Sequence, residues 1–188
     1  MARSKAEVYY SDRHTFLTKR FDWDKHRNRS HFFSAMTLLG YRDGADAATG
    51  ASYLELAELL MQRGADTEAD LEQLWRRIVF NICVSNTDDH LRNHGFILNG
   101  KGLRLSPAYD INPEPRGYGL NLNIDEHSNA LDTNVALSVA PYFRLNEARA
   151  QAIISEMKES IKRWESVADS LNISNKEKEQ AAPAFGCR

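Results

Sequence analysis

Cysteine is almost missing from this chain. Cys83 and Cys187 are the only two among 188 residues. Neither lies in a paired metal-ligand spacing, and the default is a reduced, cytoplasmic protein. Cys83 falls inside an apolar helical pattern and reads as a core thiol. Long hydrophobic runs are missing too. None approaches the ~18 residues of a membrane helix, and Met1-Ala2-Arg3-Ser4-Lys5 is not followed by the apolar core of a secretory signal. So is an excess of positive charge. Lys and Arg number 24 against 26 Asp and Glu, a net charge of −2, which removes the electrostatic footprint of bulk nucleic-acid binding. There are no internal repeats, no low-complexity tracts and no dividing linker, so the chain reads as one domain or a large part of one. What remains is ordinary globular composition, 42% hydrophobic and 27% charged.

Hydrophobic periodicity supplies the elements. Glu7-Val8-Tyr9-Tyr10 and the stretch from Thr15 to Asp22 read as two strands around the turn-forming Ser11-Asp12-Arg13-His14. Ser30 is placed to cap a helix carrying Phe32, Phe33, Met36 and Leu39, ended by Gly40. Ser52 caps a second, with Tyr53, Leu56, Ala57 and Leu60 on one face and Gly64 at its end. Thr67-Glu68-Ala69-Asp70 approximates a capping box. The helix behind it is the clearest in the chain, with Leu71, Leu74, Trp75, Ile78, Val79, Ile82 and Cys83 on one stripe. It is the expected central core helix, each large side chain contributing about 1.5–3 kcal/mol on burial. A hairpin follows: Gly95-Phe96-Ile97-Leu98, the turn Asn99-Gly100-Lys101-Gly102, and Leu103-Arg104-Leu105. The stretch from Glu114 to Thr133 is largely irregular. Asp132 or Thr133 caps a short helix through Val139. Asn146 caps a long last helix carrying Ile153, Met157, Ile161, Trp164, Ala168 and Leu171, and Ser174 opens a short terminal one. The expected fold is mainly α (α+β), a helical lobe with two small antiparallel hairpins.

The chemistry is concentrated in Asn86-Thr87-Asp88-Asp89-His90-Leu91-Arg92-Asn93-His94-Gly95, between the core helix and the hairpin. Phosphoryl transfer needs a carboxylate to orient or deprotonate the attacking hydroxyl, hard oxygen ligands for magnesium, and something to steady the phosphates. The catalytic loop of protein kinases supplies the first two as Asp-x-x-x-x-Asn. Asp88 stands five residues before Asn93 and fits that spacing. Asp89 stands four before it and reads as an exposed loop or capping residue. Asp110, at the end of the hairpin, is placed as a second metal-binding acid. A loop of Asn, Asp and His is by itself most often a plain turn. His90 also reads as an ordinary loop histidine, Asp110 as a turn former, Phe21 as core and Arg92 as a surface or salt-bridge residue. His14, His26, His31, His94 and His127 are scattered, and no zinc site is read from them.

Three stretches together resemble the HipA family, bacterial serine/threonine kinases that act as toxins of toxin–antitoxin pairs. They are Ser85 to Asn93, Arg104 to Pro113, and Arg20-Phe21-Asp22, with weaker likeness in Ser34 to Gly40 and Pro183-Ala184-Phe185. The resemblance implies a kinase-like C-terminal lobe over residues 30–188 and a hinge hairpin over residues 1–22. It implies Asp88 as catalytic base, Asn93 and Asp110 as magnesium ligands, and His90 beside the phosphates. Lys19 and Phe21 would meet adenine through backbone groups, with Asp22 near the ribose. An acidic residue is common before Arg-Phe-Asp in that family; Lys19 stands there here.

That family carries an N-terminal lobe ahead of the hinge, with a phosphate-covering loop and a strand lysine. Only about 14 residues precede the hinge strand here, with no Gly-rich loop among them, and Lys5 fits no such pattern. The expectation is therefore a catalytic lobe that transfers the ATP γ-phosphate to a protein hydroxyl with Mg2+, weak or inactive until a separate N-lobe chain joins it. Its other expected partner is an antitoxin-like DNA-binding protein, with no membrane and no direct nucleic-acid contact. Two alternatives stand beside it: a non-catalytic kinase remnant that docks the antitoxin or a substrate protein, and a metal-dependent hydrolase built on Asp88, Asp110 and His90.

Overall fold

The computed structural model describes residues 4–8, 14–26 and 28–187. Strands β1 (Ser4–Val8) and β2 (His14–Thr18) pair antiparallel, with Ser4 opposite Thr18 and Val8 opposite His14. The N-terminal hairpin is therefore present. Its second strand stops at Thr18 rather than at Asp22, and Tyr9, Tyr10 and the turn at 11–13 lie outside the described residues.

The first helix begins later than expected. Phe32 and Phe33 lie on a short strand, β3 (Phe32–Ser34), and α1 is only Ala35–Leu39. Its cap is Ser34, whose hydroxyl accepts from the Thr37 amide, rather than Ser30. The reason is a sheet edge that needs a partner. β4 (Gly95–Asn99) pairs with β5 (Gly102–Leu105) on one side and with β3 on the other, Phe33 opposite Phe96. The expected second hairpin is thus part of a three-stranded antiparallel sheet in the order β3-β4-β5. Gly95 is required in it, because a Cβ there would lie 2.2 Å from the Phe32 ring.

Helix α2 (Tyr53–Arg63) carries the expected cap, a reciprocal box between Ser52 and Glu55. Helix α3 (Thr67–Cys83) is the core of the lobe: Leu71, Leu74, Trp75, Ile78, Val79, Ile82 and Cys83 are all fully buried. The capping box read at its start is not formed. Asp66 is the N-cap and makes no side-chain cap bond. Asp70 points inward and grips β5, accepting from the Arg104 guanidinium at 2.8 and 3.1 Å and from the Leu105 amide at 3.0 Å. An inward partner with its own charge outcompetes a local cap.

α4 (Thr133–Val139) is capped by Asp132, and the Trp75 indole donates to the Ala136 carbonyl at 3.0 Å. The expected long last helix is broken. α5 (Glu147–Ile161), capped by Asn146, gives way to α6 (Trp164–Ser170), and α7 (Asn175–Ala181) follows with its Ser174 box intact. The break lets Trp164 stack on Phe185 of the returning tail, ring centroids 4.4 Å apart. The same return brings Gly186 to donate to the Cys83 carbonyl at 3.1 Å. It also joins Cys187 to Cys83 in a disulfide. Cys83 is buried as expected, but it is neither a free core thiol nor reduced: the return of the tail overturns the reduced state expected for the two cysteines. No helix among the described residues is long and apolar enough to cross a membrane.

Candidate active site

Helix α3 delivers the chain into the loop 86–95 and holds what surrounds that loop through three polar residues on one face. Asp70 fixes β5, Arg77 donates to the Ser106 carbonyl just beyond β5, and Asn81 reaches into the loop. Burial pushes the Arg77 guanidinium down to about 10, opposed by the charges of Asp89, Tyr109 and Asp70. It still carries a full positive charge at neutral pH.

The two adjacent acids have opposite environments. Asp88 is exposed, and its carboxylate takes no hydrogen bond from any described residue. Asp89 is 3% exposed, contrary to the surface role expected for it. Its Oδ2 accepts from the Tyr53 hydroxyl at 2.5 Å, from Asn81 Nδ2 at 2.6 Å and from His94 Nε2 at 2.8 Å. Burial raises the Asp89 carboxyl, but the imidazole of His94, the donated bonds and the Arg77 charge outweigh it and hold the group below the usual carboxylate range. Asp89 is the internal anchor of the loop, and anchoring it leaves its neighbour free on the outside. Spacing could not reveal this. The available signal was Asn81, an amide within the apolar stripe of α3, together with Tyr53 at the start of the α2 stripe.

Asn93 is buried, and its Nδ2 donates to the Asp88 backbone carbonyl at 3.0 Å. That bond orients the amide and leaves Oδ1 without a partner among the described residues. The strap that carries Asp110 is tied to the loop through the residue before it. The Tyr109 hydroxyl donates to the Arg92 carbonyl at 2.7 Å. Burial raises the Tyr109 phenol to about 12, so it remains a donor across the physiological range. Asp110 is exposed, with φ of 54°; its Oδ1 accepts from Asn112 Nδ2 at 2.9 Å. Its Oδ2 has no partner among the described residues. An oriented amide oxygen and an exposed carboxylate fit a magnesium ion that keeps water and phosphate oxygens for its remaining positions. Among the described residues no group of three His, Cys, Asp or Glu assembles a protein-only metal cage. His90 and His94 lie four apart in sequence but do not converge: His94 is committed to Asp89.

His90 is half-buried, its Nδ1 is buried without a partner, and it lines a cavity of about 260 Å³ together with Arg42, Arg92 and Asn121. Arg92 is ion-paired with Asp43 at the same cavity. Phe21 stacks on Tyr109 at 5.8 Å and tilts against Phe32 at 5.9 Å, so the segment after β2 sits on the residue next to Asp110. Asp22 is buried, with both oxygens held by Arg20, at 2.9 and 2.5 Å, and Oδ2 reached by Arg29 at 3.3 Å. The Arg20 bond holds its carboxyl below the ordinary range against the opposing effect of burial. Lys19 is exposed, and its side chain makes no hydrogen bond or ion pair among the described residues.

The sequence model of the HipA-like C-terminal domain matches residues 1–164. The chain belongs to that family. It is 30% identical over 116 residues to a Haemophilus influenzae protein described as "Putative kinase", an alignment covering 57% of this chain and 34% of that protein. The fold matches the HipA chain solved in a Shewanella oneidensis toxin–antitoxin complex of HipA, HipB and operator DNA. The TM-score is 0.77 at 15% identity, over 98% of this chain and 49% of that one. The HipA-like chain therefore spans about a third to a half of the length of these relatives. Its α+β architecture, a helical lobe with small antiparallel sheets, is that of the HipA structure.

Proposed function

We propose that this chain is the catalytic lobe of a HipA-like serine/threonine kinase. The observation that carries the reading is the division of labour in the loop. One carboxylate, Asp88, is exposed and unpartnered, while the adjacent Asp89 is consumed internally to hold it there. Asn93 is fixed to the Asp88 carbonyl, and the strap that carries Asp110 is tied to the loop by the Tyr109–Arg92 bond. In the proposed step Asp88 accepts the proton of a seryl or threonyl hydroxyl as its oxygen bonds to the γ-phosphorus of ATP. The bond from that phosphorus to the β,γ-bridging oxygen breaks, and ADP leaves. Asn93 and Asp110 would hold Mg2+, which supplies charge neutralisation for the phosphates. His90 would face the phosphates from the cavity side. The backbone at Lys19 and Phe21 would receive adenine, with the ribose toward Asp22, whose carboxylate is held by Arg20 and Arg29.

The proposed partners of the whole protein are an acceptor protein, an N-lobe that covers the phosphates, and, as in the HipA–HipB assembly, an antitoxin-like DNA-binding protein. A cytoplasmic location follows from the same reading. The test is phosphoryl transfer from labelled ATP by the chain supplied with an N-lobe. Asp88→Asn should bind Mg–ATP as the parent does and transfer nothing. Asn93→Ala and Asp110→Ala should weaken Mg–ATP binding itself. Transfer by Asp88→Asn at the parent rate would sink the mechanism. Partner capture with no nucleotide binding, by calorimetry, would favour a non-catalytic docking module instead.

A further inference from the structure

Asp110 has a left-handed backbone, φ 54°, and so does Ser85, φ 51°, at the exit of α3. Non-glycine residues hold that conformation at a cost of roughly 1–2 kcal/mol, and keep it where surrounding contacts over-determine it. The two strained residues are the two ends of one junction. The Glu114 amide donates to the Ser85 carbonyl at 3.1 Å, and the Asn112 amide donates to Asn86 Oδ1 at 3.4 Å. The strap that carries Asp110 is thus tied at two points to the residues that begin the catalytic loop.

The second tie continues inward as a one-directional run of amides. Asn112 donates through its backbone N–H to Asn86 Oδ1. Asn86 Nδ2 donates to Asn81 Oδ1 at 3.1 Å, and Asn81 Nδ2 donates to Asp89 Oδ2 at 2.6 Å. At the outer end Asn112 Nδ2 donates to Asp110 Oδ1 at 2.9 Å. Asn86 and Asn81 each use their oxygen toward the strap and their NH2 toward the interior, Asn112 donates in both directions, and the run ends on a buried carboxylate. Donors that terminate on a charge polarise one another in the same sense, which strengthens the run. Asn81 and Asn86 are both about 1% exposed, so neither can exchange a lost partner for bulk water.

We infer that Asn86 and Asn112 are positioning residues that fix the Asp110 carboxylate relative to the catalytic loop, through the run Asp110–Asn112–Asn86–Asn81–Asp89. The inference rests on the reading of Asp110 as a metal ligand. It adds that the angle of that ligand is set from inside the lobe by an amide relay anchored on the acid that does not take part in chemistry. The acid next to the catalytic one then has two duties: it holds Asp88 outward and, through three asparagines, holds Asp110 in place.

The experiment compares Asn86→Ala, Asn86→Asp, Asn112→Ala and Asp110→Ala in the full chain. It reads three quantities: amide hydrogen exchange at Asn112, Mn2+ affinity in the presence of ADP by electron paramagnetic resonance, and the thermal melt. Asn86→Ala should speed exchange at Asn112 and weaken Mn2+ binding, each by roughly threefold to tenfold, the size of one net hydrogen bond. Asn86→Asp keeps the acceptor for the Asn112 amide but loses the donor to Asn81 Oδ1, so exchange at Asn112 should stay near the parent value while Mn2+ binding weakens as in Asn86→Ala. Asn112→Ala alters an exposed side chain, so it should weaken Mn2+ binding with the melt unchanged. If Asn86→Ala or Asn112→Ala, folded by its melt, leaves Asn112 exchange and Mn2+ affinity at parent values, the relay is overturned. If Asn86→Ala unfolds, Asn112→Ala alone decides. The kinase reading fails separately if the parent binds no Mn2+–ADP, or binds it indifferently to Asp110→Ala; the exchange at Asn112 then still decides whether the relay holds the strap.

Discussion

The Tyr109 hydroxyl donates to the Arg92 carbonyl at 2.7 Å, and the Tyr109 ring stacks on Phe21 at 5.8 Å. One side chain therefore ties together the segment after the N-terminal hairpin, the 86–95 loop and the strap that carries Asp110. Its two functions are separable. Tyr109→Phe removes the hydrogen bond and keeps the ring stack, and should cost about 0.5–1.5 kcal/mol. Tyr109→Ala loses the ring against Phe21 and Phe32 as well and should cost about 2–3 kcal/mol, discounted from a fully buried aromatic because Tyr109 is half-buried. Urea denaturation of the two variants separates the contributions; equal losses would show that the bond, not the ring, holds the strap.

Asp88 and Asp89 are neighbours whose substitutions should act on different quantities. Asp89→Ala strands three buried donors, Tyr53, Asn81 and His94, and should destabilise by about 3–5 kcal/mol. Asp88→Ala removes an exposed carboxylate with no described partner and should change stability by no more than about 0.5 kcal/mol. Equilibrium denaturation of the pair is the check. A large loss on Asp88→Ala with a small one on Asp89→Ala would reverse the assignment of inner and outer acid.

That reversal was the weak point of reading the loop from its residues. Spacing identifies Asp88 because Asp-x-x-x-x-Asn is a pattern in one dimension. Where Asp89 goes depends on Tyr53, 36 residues away, and on Asn81 in the helix before the loop, and no local pattern encodes those contacts. The core stripe of α3 and the caps at Ser52, Asn146 and Ser174 were legible because each depends only on neighbours within a turn or two. The box at Thr67–Asp70 failed for the same reason in reverse: Arg104, 34 residues on, competes for Asp70. Phe32 and Phe33 read equally well with helical or alternating period, and only the partner strand β4 decides between them. The tail meeting Cys83 is a contact across 104 residues that neither cysteine's surroundings announce.

Asp89 also sets a pH dependence. Its folded-state carboxyl is held below the ordinary range, whereas in the unfolded chain it titrates near 3.9. The stabilisation is complete above the unfolded value. It is lost as the pH falls below about 4 toward the folded value, because the unfolded state then binds the proton more readily. Stability measured by urea midpoint should therefore drop on acidification below about pH 4 in the parent. In Asp89→Asn, already destabilised, the drop over the same window should be shallower. A parallel acid limb in both proteins would assign it to other carboxylates.

The strap after Asp110 lies directly on the 86–95 loop at Gly117. A Cβ on Gly117 would stand 2.2 Å from Thr87 Cγ2 and 2.6 Å from Thr87 Oγ1, next in sequence to Asp88. Real Cβ atoms do not approach that closely, so Gly117→Ala must displace the Thr87 side chain or the strap itself. Overpacking of this kind costs about 1–3 kcal/mol. Thr87→Ala removes both of the closest atoms and leaves only its own Cβ, at 3.0 Å. The double variant Gly117→Ala, Thr87→Ala should thus recover a large part of the loss, with a favourable coupling of about 1 kcal/mol or more between the two sites. A double-mutant cycle on denaturation free energies measures it. Strict additivity would mean that the cost of Gly117→Ala lies in the strap itself, and that glycine is not there to let the strap meet Thr87.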